Sequence, residues 1–368
     1  MPPATRPMQP TSPALPRWTI AAPIAAWLLL GGAALQLGSA YQWPMAAGLI
    51  AAVLAAVHHA EVVAHRVGEP FGTLLLAVAV TIIEVALIVS LMLAGGPDAT
   101  TLARDTVFAA VMIILNGIVG LCLIVGGARF HEQTFGLHGV SASLATLAAI
   151  VVLSLVLPNY TVSDPGPVYT PSQLAFIAIV SVGLYGTFVL VQTVRHRDYF
   201  LAAAEPGDEA LHAPPPSNAT ALVSTALLLA CLGVVVLLAK ALAPTIEAAV
   251  AAANAPKALV GVIVAAVVLL PEGLAALRAA RANRLQTSLN LALGSALASI
   301  GLTIPAVAIV SLATGLTLTL GIDQKSTVLL VLSLFVSGLS FATGRTTVLQ
   351  GAVLLVIFAT YLFTTIVP

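Results

Sequence analysis

Apolar residues run through this chain in long blocks, and short polar or Gly/Pro-rich breaks between them set its layout. A block of roughly twenty predominantly apolar residues crosses a bilayer as one helix. On that length eleven helices are predicted, over approximately 18–37, 44–64, 70–94, 105–127, 141–158, 172–194, 219–240, 257–280, 287–314, 326–343 and 346–366. Breakers such as Ala94-Gly95-Gly96-Pro97 and Pro158-Asn159 divide them. Residues 1–17 are rich in Pro, Ser and Thr and read as a disordered tail. The block at 18–37 is longer than the core of a signal peptide, about 7–15 residues, and reads as a first span. Cleavage near Gly38-Ser39-Ala40 is the competing reading.

Composition makes the class plain. Of 368 residues, 60% are hydrophobic and 8% charged, where soluble domains carry about 25% charged residues. The fold class is therefore an all-α polytopic membrane protein whose surroundings are the lipid bilayer. Fourteen basic residues balance fourteen acidic ones, so nothing points to nucleic acid as a partner. Cys122 and Cys231 both fall in apolar spans without metal-ligand spacing and read as small buried hydrophobes, not as a disulfide framework. No GxxxxGK[ST] loop occurs, which is consistent with an activity that uses no nucleotide. No HExxH occurs either, and no nucleophile–base set is evident. The expectation is a protein that is not an enzyme and uses no cofactor.

Basic residues set orientation, because they accumulate on the cytoplasmic side. With the N-terminus in the cytoplasm, ten fall inside (Arg6, Arg17, Arg66, Arg129, Arg195, Arg197, Arg278, Arg281, Arg284 and Arg345) and four outside (Arg104, Lys240, Lys257 and Lys325). The C-terminus then faces the periplasm. The sizeable polar loop, 195–218, holds Asp198, Glu205, Asp208, Glu209, His196 and His212. It reads as a cytoplasmic linker, with a regulatory site for protons or a divalent cation as the alternative. Setting aside the span at 18–37, five helices (44–194) precede this loop and five (219–366) follow it. Five is odd, so the two units enter the membrane with opposite polarity. The expected plan is one helix plus two inverted five-helix repeats, an arrangement shared by many secondary transporters.

Two acidic residues stand out against this background. Glu84 lies inside the apolar stretch 71–93 and Glu272 inside 258–277. An ionisable group near mid-bilayer costs roughly 2.5–3.5 kcal/mol on insertion scales, and such residues commonly mark ion or proton pathways. Each glutamate occupies the second helix of its unit, so a pseudo-two-fold axis would bring them together at mid-depth. Both are candidate cation, metal and proton ligands. Thr81 shares a helix face with Glu84. Pro271, with Gly273, is expected to break its helix and expose carbonyl oxygens suited to Na⁺ or Ca²⁺. In the following helices Asn116 and Ser295 are candidate supporting ligands, with Asn290 and Ser299 behind them. Small polar residues also serve plain helix packing. His58, His59 and Glu61 form a candidate proton relay or pH sensor, since histidine titrates near neutrality. A helix end wetted by lipid headgroups is the plainer reading.

These residues carry a resemblance. The segments are His58-His59-Ala60-Glu61 through Gly68-Glu69-Pro70-Phe71-Gly72 to Ile83-Glu84-Val85, then Pro271-Glu272-Gly273-Leu274 and Asn290-Leu291-Ala292-Leu293-Gly294-Ser295. Asn254-Ala255-Pro256, Leu302-Thr303-Ile304-Pro305 and the run from Ser340 to Thr346 continue it. Together they resemble the Ca²⁺:cation antiporter superfamily, in particular its bacterial ChaA-type calcium (sodium, potassium)/proton antiporters. The two α-repeats would correspond to roughly 47–127 and 257–314, with Glu84 and Glu272 as their acidic residues. The resemblance implies eleven helices and exchange of cytoplasmic Ca²⁺, Na⁺ or K⁺ for external protons across a bacterial inner membrane. One departure is Val80-Thr81-Ile82-Ile83 and Val268-Leu269-Leu270-Pro271, where many members have Gly-Asn or Gly-Thr-Ser before the glutamate. Fewer side-chain oxygens then surround the site, which favours Na⁺ or K⁺ as the rival cation. A cation channel is the rival from another class, and a homo-oligomer is left open.

Overall fold

The structure, a computed structural model, describes residues 15–33, 38–68, 71–95, 100–201 and 216–367. Eleven helical rods account for nearly all of them. They are α1 (Arg17–Ala33), α2 (Gln42–Val67), α3 (Phe71–Gly95), α4 (Leu102–Phe130), α5 (Leu137–Tyr160), α6 (Pro171–Arg195), α7 (Asn218–Ala252), α8 (Ala258–Arg281), α9 (Leu285–Thr314), α10 (Gln324–Phe341) and α11 (Val348–Ile366). Among the described residues nine are long and apolar enough to span a membrane, and α3 adds the apolar stretch Ala77–Leu93. The protein is thus an all-α polytopic membrane protein. Part of the tail (1–14), Gly96-Pro97, Glu69-Pro70 and the loop residues Glu205, Asp208, Glu209 and His212 lie outside the described residues.

Helix ends follow local chemistry. Thr170 caps α6, its hydroxyl accepting from the Gln173 amide in a reciprocal capping box. Ser217 caps α7 and Asp323 caps α10 by accepting from the amides of Thr220 and Ser326. Two expectations need correction. α7 does not end near Lys240; it passes Pro244 and continues to Ala252. α8 is not broken at Pro271, because its helix runs without interruption from Ala258 to Arg281. A proline removes one backbone bond. Here Val268 and Leu269, both buried, anchor the turn before it on opposite sides.

Helix contacts exchange between the two halves. α3 packs on α9 while α8 packs on α4, and α6 packs on α9 while α11 packs on α4. α2 and α7 pack on each other. The short strand pairings follow the same rule. Gln133–Thr134, after α4, pairs antiparallel with Arg345–Thr346, before α11. At the other end Thr319, after α9, bridges Val168, before α6. Exchanging the first five-helix unit for the second maps each contact onto its partner, as an axis in the membrane plane would.

Two apolar cores result. One joins α1, α2 and α7; the other joins α4, α5, α6, α9, α10 and α11. α3 and α8 belong to both, with Leu87 and Leu91 in the first core and Ile88 and Met92 in the second. Likewise Val264 and Val268 face the first core, Ala265 and Leu269 the second. Glu84 and Glu272 therefore stand on helices at the seam.

α11 approaches α4 through paired glycines. A Cβ on Gly351 would lie 2.7 Å from Gly120 O and from Ile124 N. Gly351→Leu should push the two helices apart and destabilise the protein by about 1–3 kcal/mol or more. Thermal unfolding of the purified protein checks this, and an unchanged midpoint would contradict the close approach.

Candidate functional site

Helical spacing assembles the site. On α3, Glu84 precedes Ile88 and Met92 at one-turn intervals and so faces the larger core with them. On α8, Glu272 follows Leu269 by three residues and turns the same way. On α9, Ser295 and Ser299 are one turn apart and share a face. Ser299 Oγ donates to Glu84 Oε1 at 2.6 Å, although Glu84 belongs to the other half of the chain. Ser295 faces the Glu272 carboxyl, and the two carboxyls stand close enough to act on each other's charge. Glu84 is 3% exposed, and Ser299 is buried beside it. Glu272 keeps a partly open face, but its Oε2 is buried without a hydrogen-bond partner among the described residues. α9 thus lays one hydroxyl against each carboxyl.

The environment of this pair is apolar, so its charge has little compensation. Among the described residues no group of three or more His, Cys, Asp or Glu forms a metal cluster. What the pair offers is two anionic heads with hydroxyls beside them. Such a site takes hard cations or protons, and two desolvated carboxylates facing each other cannot both stay ionised unaided.

The other expected residues are placed differently. Thr81 is buried, but its hydroxyl donates to Ala77 O at 2.8 Å, one turn back on its own helix. Asn116 lies on a π-helical segment, Ile113–Ile118, and its Nδ2 donates to Ser333 Oγ of α10 at 2.9 Å. Asn290 sits near the start of α9, where Nδ2 donates to Phe200 O at 2.5 Å and Oδ1 accepts from Gln286. It fastens the segment after α6 and does not face the carboxyls. His59 is buried against α1, with Nε2 3.0 Å from Thr19 O, and His58 lies between Trp18 and His59. Glu61 is exposed and faces Arg278. The histidines are therefore part of the α1–α2 contact, while Glu61 belongs to the arginine-rich end of the bundle.

At the opposite end a cavity of about 240 Å³ is lined by Arg104, Asp105, Asp323, Lys325 and Tyr361, among others. Its basic groups are held: Arg104 bonds Asp105 and Gly321 O, and Lys325 bonds Thr364 O.

Known proteins share this sequence and fold. The family described as "Sodium/calcium exchanger protein" matches residues 44–194 and 223–367. A protein of Sinorhizobium fredii, y4hA, is 53% identical over 328 residues, 88% of each chain. The "Sodium-potassium/proton antiporter ChaA" of Escherichia coli is 38% identical over 319 residues, 86% of each chain. The solved structure of YfkE superposes with a TM-score of 0.72 at 19% identity, covering 95% of this chain and all (100%) of that one. The H⁺/Ca²⁺ exchanger CAX gives 0.70 at 16% identity, covering 94% of this chain and 87% of that one.

Proposed function

The chain belongs to the sodium/calcium exchanger protein family, and from that premise we propose that it is a secondary antiporter moving cytoplasmic Ca²⁺ outward in exchange for external H⁺. Glu84 and Glu272 are its binding groups, with Ser295 and Ser299 as supporting ligands. The carrying observation is the pair itself, two carboxyls from opposite halves met by hydroxyls of one helix.

Charge balance supplies the coupling. Uncompensated, the pair would hold two negative charges in an apolar interior, which is strongly unfavourable. One Ca²⁺ neutralises it, and so do two protons, but not both together. Ca²⁺ takes roughly 6–8 oxygen ligands. Four carboxylate oxygens and the hydroxyls of Ser295 and Ser299 reach the lower end of that range. Cation arriving from one side displaces protons; the bundle re-exposes the site, and protons from the other side discharge the cation. Competition alone links the two fluxes, without nucleotide or cofactor.

A second reading is favoured by the relative named a sodium-potassium/proton antiporter and by the apolar residues before each glutamate. A monovalent ion neutralises half the pair, so one carboxyl would keep its proton while Na⁺ or K⁺ occupies the other. In either reading the bias of basic residues supports an N-terminus in the cytoplasm and a C-terminus in the periplasm of a bacterial inner membrane. His58, His59 and Glu61, at α2's arginine-rich end, are then positioned to respond to cytoplasmic pH through the α1 contact.

Fluorescence-reported proton flux in everted vesicles tests the proposal, with Ca²⁺, Na⁺ and K⁺ added separately at neutral and mildly alkaline pH. Ca²⁺ should release the proton gradient, and its half-saturating concentration should rise as pH falls, because protons compete for the same oxygens. Proton movement with Na⁺ or K⁺ but not Ca²⁺ would select the second reading. Cation conductance independent of an opposing proton gradient would indicate a channel and overturn both.

A further inference from the structure

Beyond α6 the chain does not leave the bundle at once. Arg197–Tyr199 form a short 3₁₀ turn, and Phe200 is then buried, edge-on to Phe188 of α6 with ring centroids 5.7 Å apart. Two glycines at the start of α5 admit the turn. A Cβ on Gly139 would lie 2.4 Å from Tyr199 O, and one on Gly136 would lie 3.3 Å from the same oxygen. A row of hydrogen bonds completes the seat. Gly136 N donates to Gln286 Oε1 at 2.6 Å, Gln286 Nε2 to Asn290 Oδ1 at 3.0 Å, and Asn290 Nδ2 to Phe200 O at 2.5 Å. Gln286 and Asn290 occupy the first two turns of α9, and Ser295 lies further along the same helix. The segment after α6 is thus bonded directly to the helix that bears both site serines.

Two imidazoles meet one phenol ring on this segment. His196 stacks on Tyr199 with centroids 4.8 Å apart and planes 9° from parallel, and His138 stacks on it at 5.0 Å and 30°. His196 directly follows α6, whereas His138 comes from the first turn of α5. The stack therefore joins the segment to another helix. A cation within about 6 Å of an aromatic face is attracted by the ring quadrupole, and histidine gains its charge between about pH 5 and pH 8. A proton on either imidazole strengthens the stack, and its loss leaves only neutral ring contact. The other charged or titratable groups on the elements that meet here are Arg195, Arg197 and Asp198 beside the turn, His131 and Glu132 before α5, and Arg284 before α9. Glu132 pairs with Arg345, and neither α5 nor α9 carries a carboxylate. Arg195 and Arg197 are exposed, where solvent and salt screen their repulsion of an added charge.

We propose that His138 and His196, stacked on Tyr199, form a proton-operated latch that fastens the segment after α6 to α5 and α9 and slows exchange when the cytoplasm is acidic. The chain runs through this segment from α6, in the larger core, to α7, in the smaller one. Docking shortens the link between the cores and ties it to the helix of Ser295 and Ser299. Re-exposure of a site at the seam is restrained while the latch holds, and released when the imidazoles lose their protons. An exchanger that brings protons inward is then slowed as they accumulate. The latch stands on the geometry alone; its cytoplasmic side and its effect on transport rest on the antiport reading above.

Amide hydrogen–deuterium exchange of the purified protein, corrected for its chemical pH dependence, reads the latch without transport. The Tyr199 and Phe200 amides donate to His196 O and Arg197 O, each at 3.1 Å. Their protection should fall roughly tenfold between about pH 6 and about pH 8. His138→Phe combined with His196→Phe keeps both rings but cannot charge, and should hold the alkaline value throughout. Proton flux at saturating cation, measured in everted vesicles, should rise several-fold over the same range in the unaltered protein and stay at the higher rate in the double variant. The half-saturating cation concentration should still shift with pH in both, because competition at the carboxyl pair is untouched. Tyr199→Leu removes the ring that both imidazoles share and should give the same pH-independent result, which covers a double variant that does not fold. Protection that is constant with pH in the unaltered protein, or that changes equally in the variants, would overturn the latch. A saturated flux with the same pH profile in the unaltered protein and the variants would overturn its control of transport. Failure of every cation to move protons would sink the antiport reading and leave the protection result standing.

Discussion

Glu272→Gln, and separately Glu84→Gln, should yield protein that inserts normally and exchanges nothing. Glutamine keeps the shape of the side chain but can neither ionise nor take up a proton. With one carboxylate left, the site cannot be neutralised by Ca²⁺ or by two protons in turn, so the competition that couples the fluxes disappears. Cation-driven proton flux in everted vesicles, normalised to inserted protein, should fall at least about 100-fold, equivalent to roughly 2.7 kcal/mol. Insertion should survive because the eleven apolar helices and both cores are untouched. Substantial flux from both variants would refute the assignment of the pair.

Ser299→Ala should weaken cation binding while leaving turnover at saturation largely intact. Its hydroxyl donates to Glu84 Oε1 at 2.6 Å in a buried setting. A hydrogen bond to a charged group contributes about 1.5–3 kcal/mol, and a lost one leaves the carboxylate short of a donor. The hydroxyl is also one of the few oxygens available to complete a cation's shell. The half-saturating cation concentration should rise roughly 10–100-fold on that basis. Ser299→Thr should recover most of it, because the hydroxyl is restored. An unchanged half-saturation in the alanine variant would remove Ser299 from the site.

Much of this molecule was legible before any coordinates. Blocks of apolar residues long enough to cross a bilayer have few other uses, so the eleven helices could be located, nine of them long and apolar enough to span among the described residues, and a glutamate inside such a block is conspicuous. Helix ends were harder. Pro271 read as a break and the seventh span as ending at residue 240, yet Pro244 and Pro271 both sit inside continuous helices. One missing backbone bond is a local cost, and packing on both sides of the turn overrides it. Which groups meet was harder still. Ser299 was a candidate, but its bond to Glu84 crosses 215 positions in the chain, and no local pattern encodes that. Asn116, on a π-helical segment, bonds Ser333 of α10, and Asn290 bonds Phe200 at the arginine-rich end. Neither orientation has a signature in periodicity.

Counting protons released as cation binds addresses the shared site most directly. Titration calorimetry of the purified protein in two buffers of different ionisation enthalpy gives that count without transport. Binding at ligands that must first deprotonate releases protons, so Ca²⁺ should displace about two per ion from the unaltered protein and about one from the Glu84→Gln variant, where binding is still measurable. Ca²⁺ or Na⁺ bound with no proton released would mean that metal and H⁺ occupy different groups, contrary to the exchange described above.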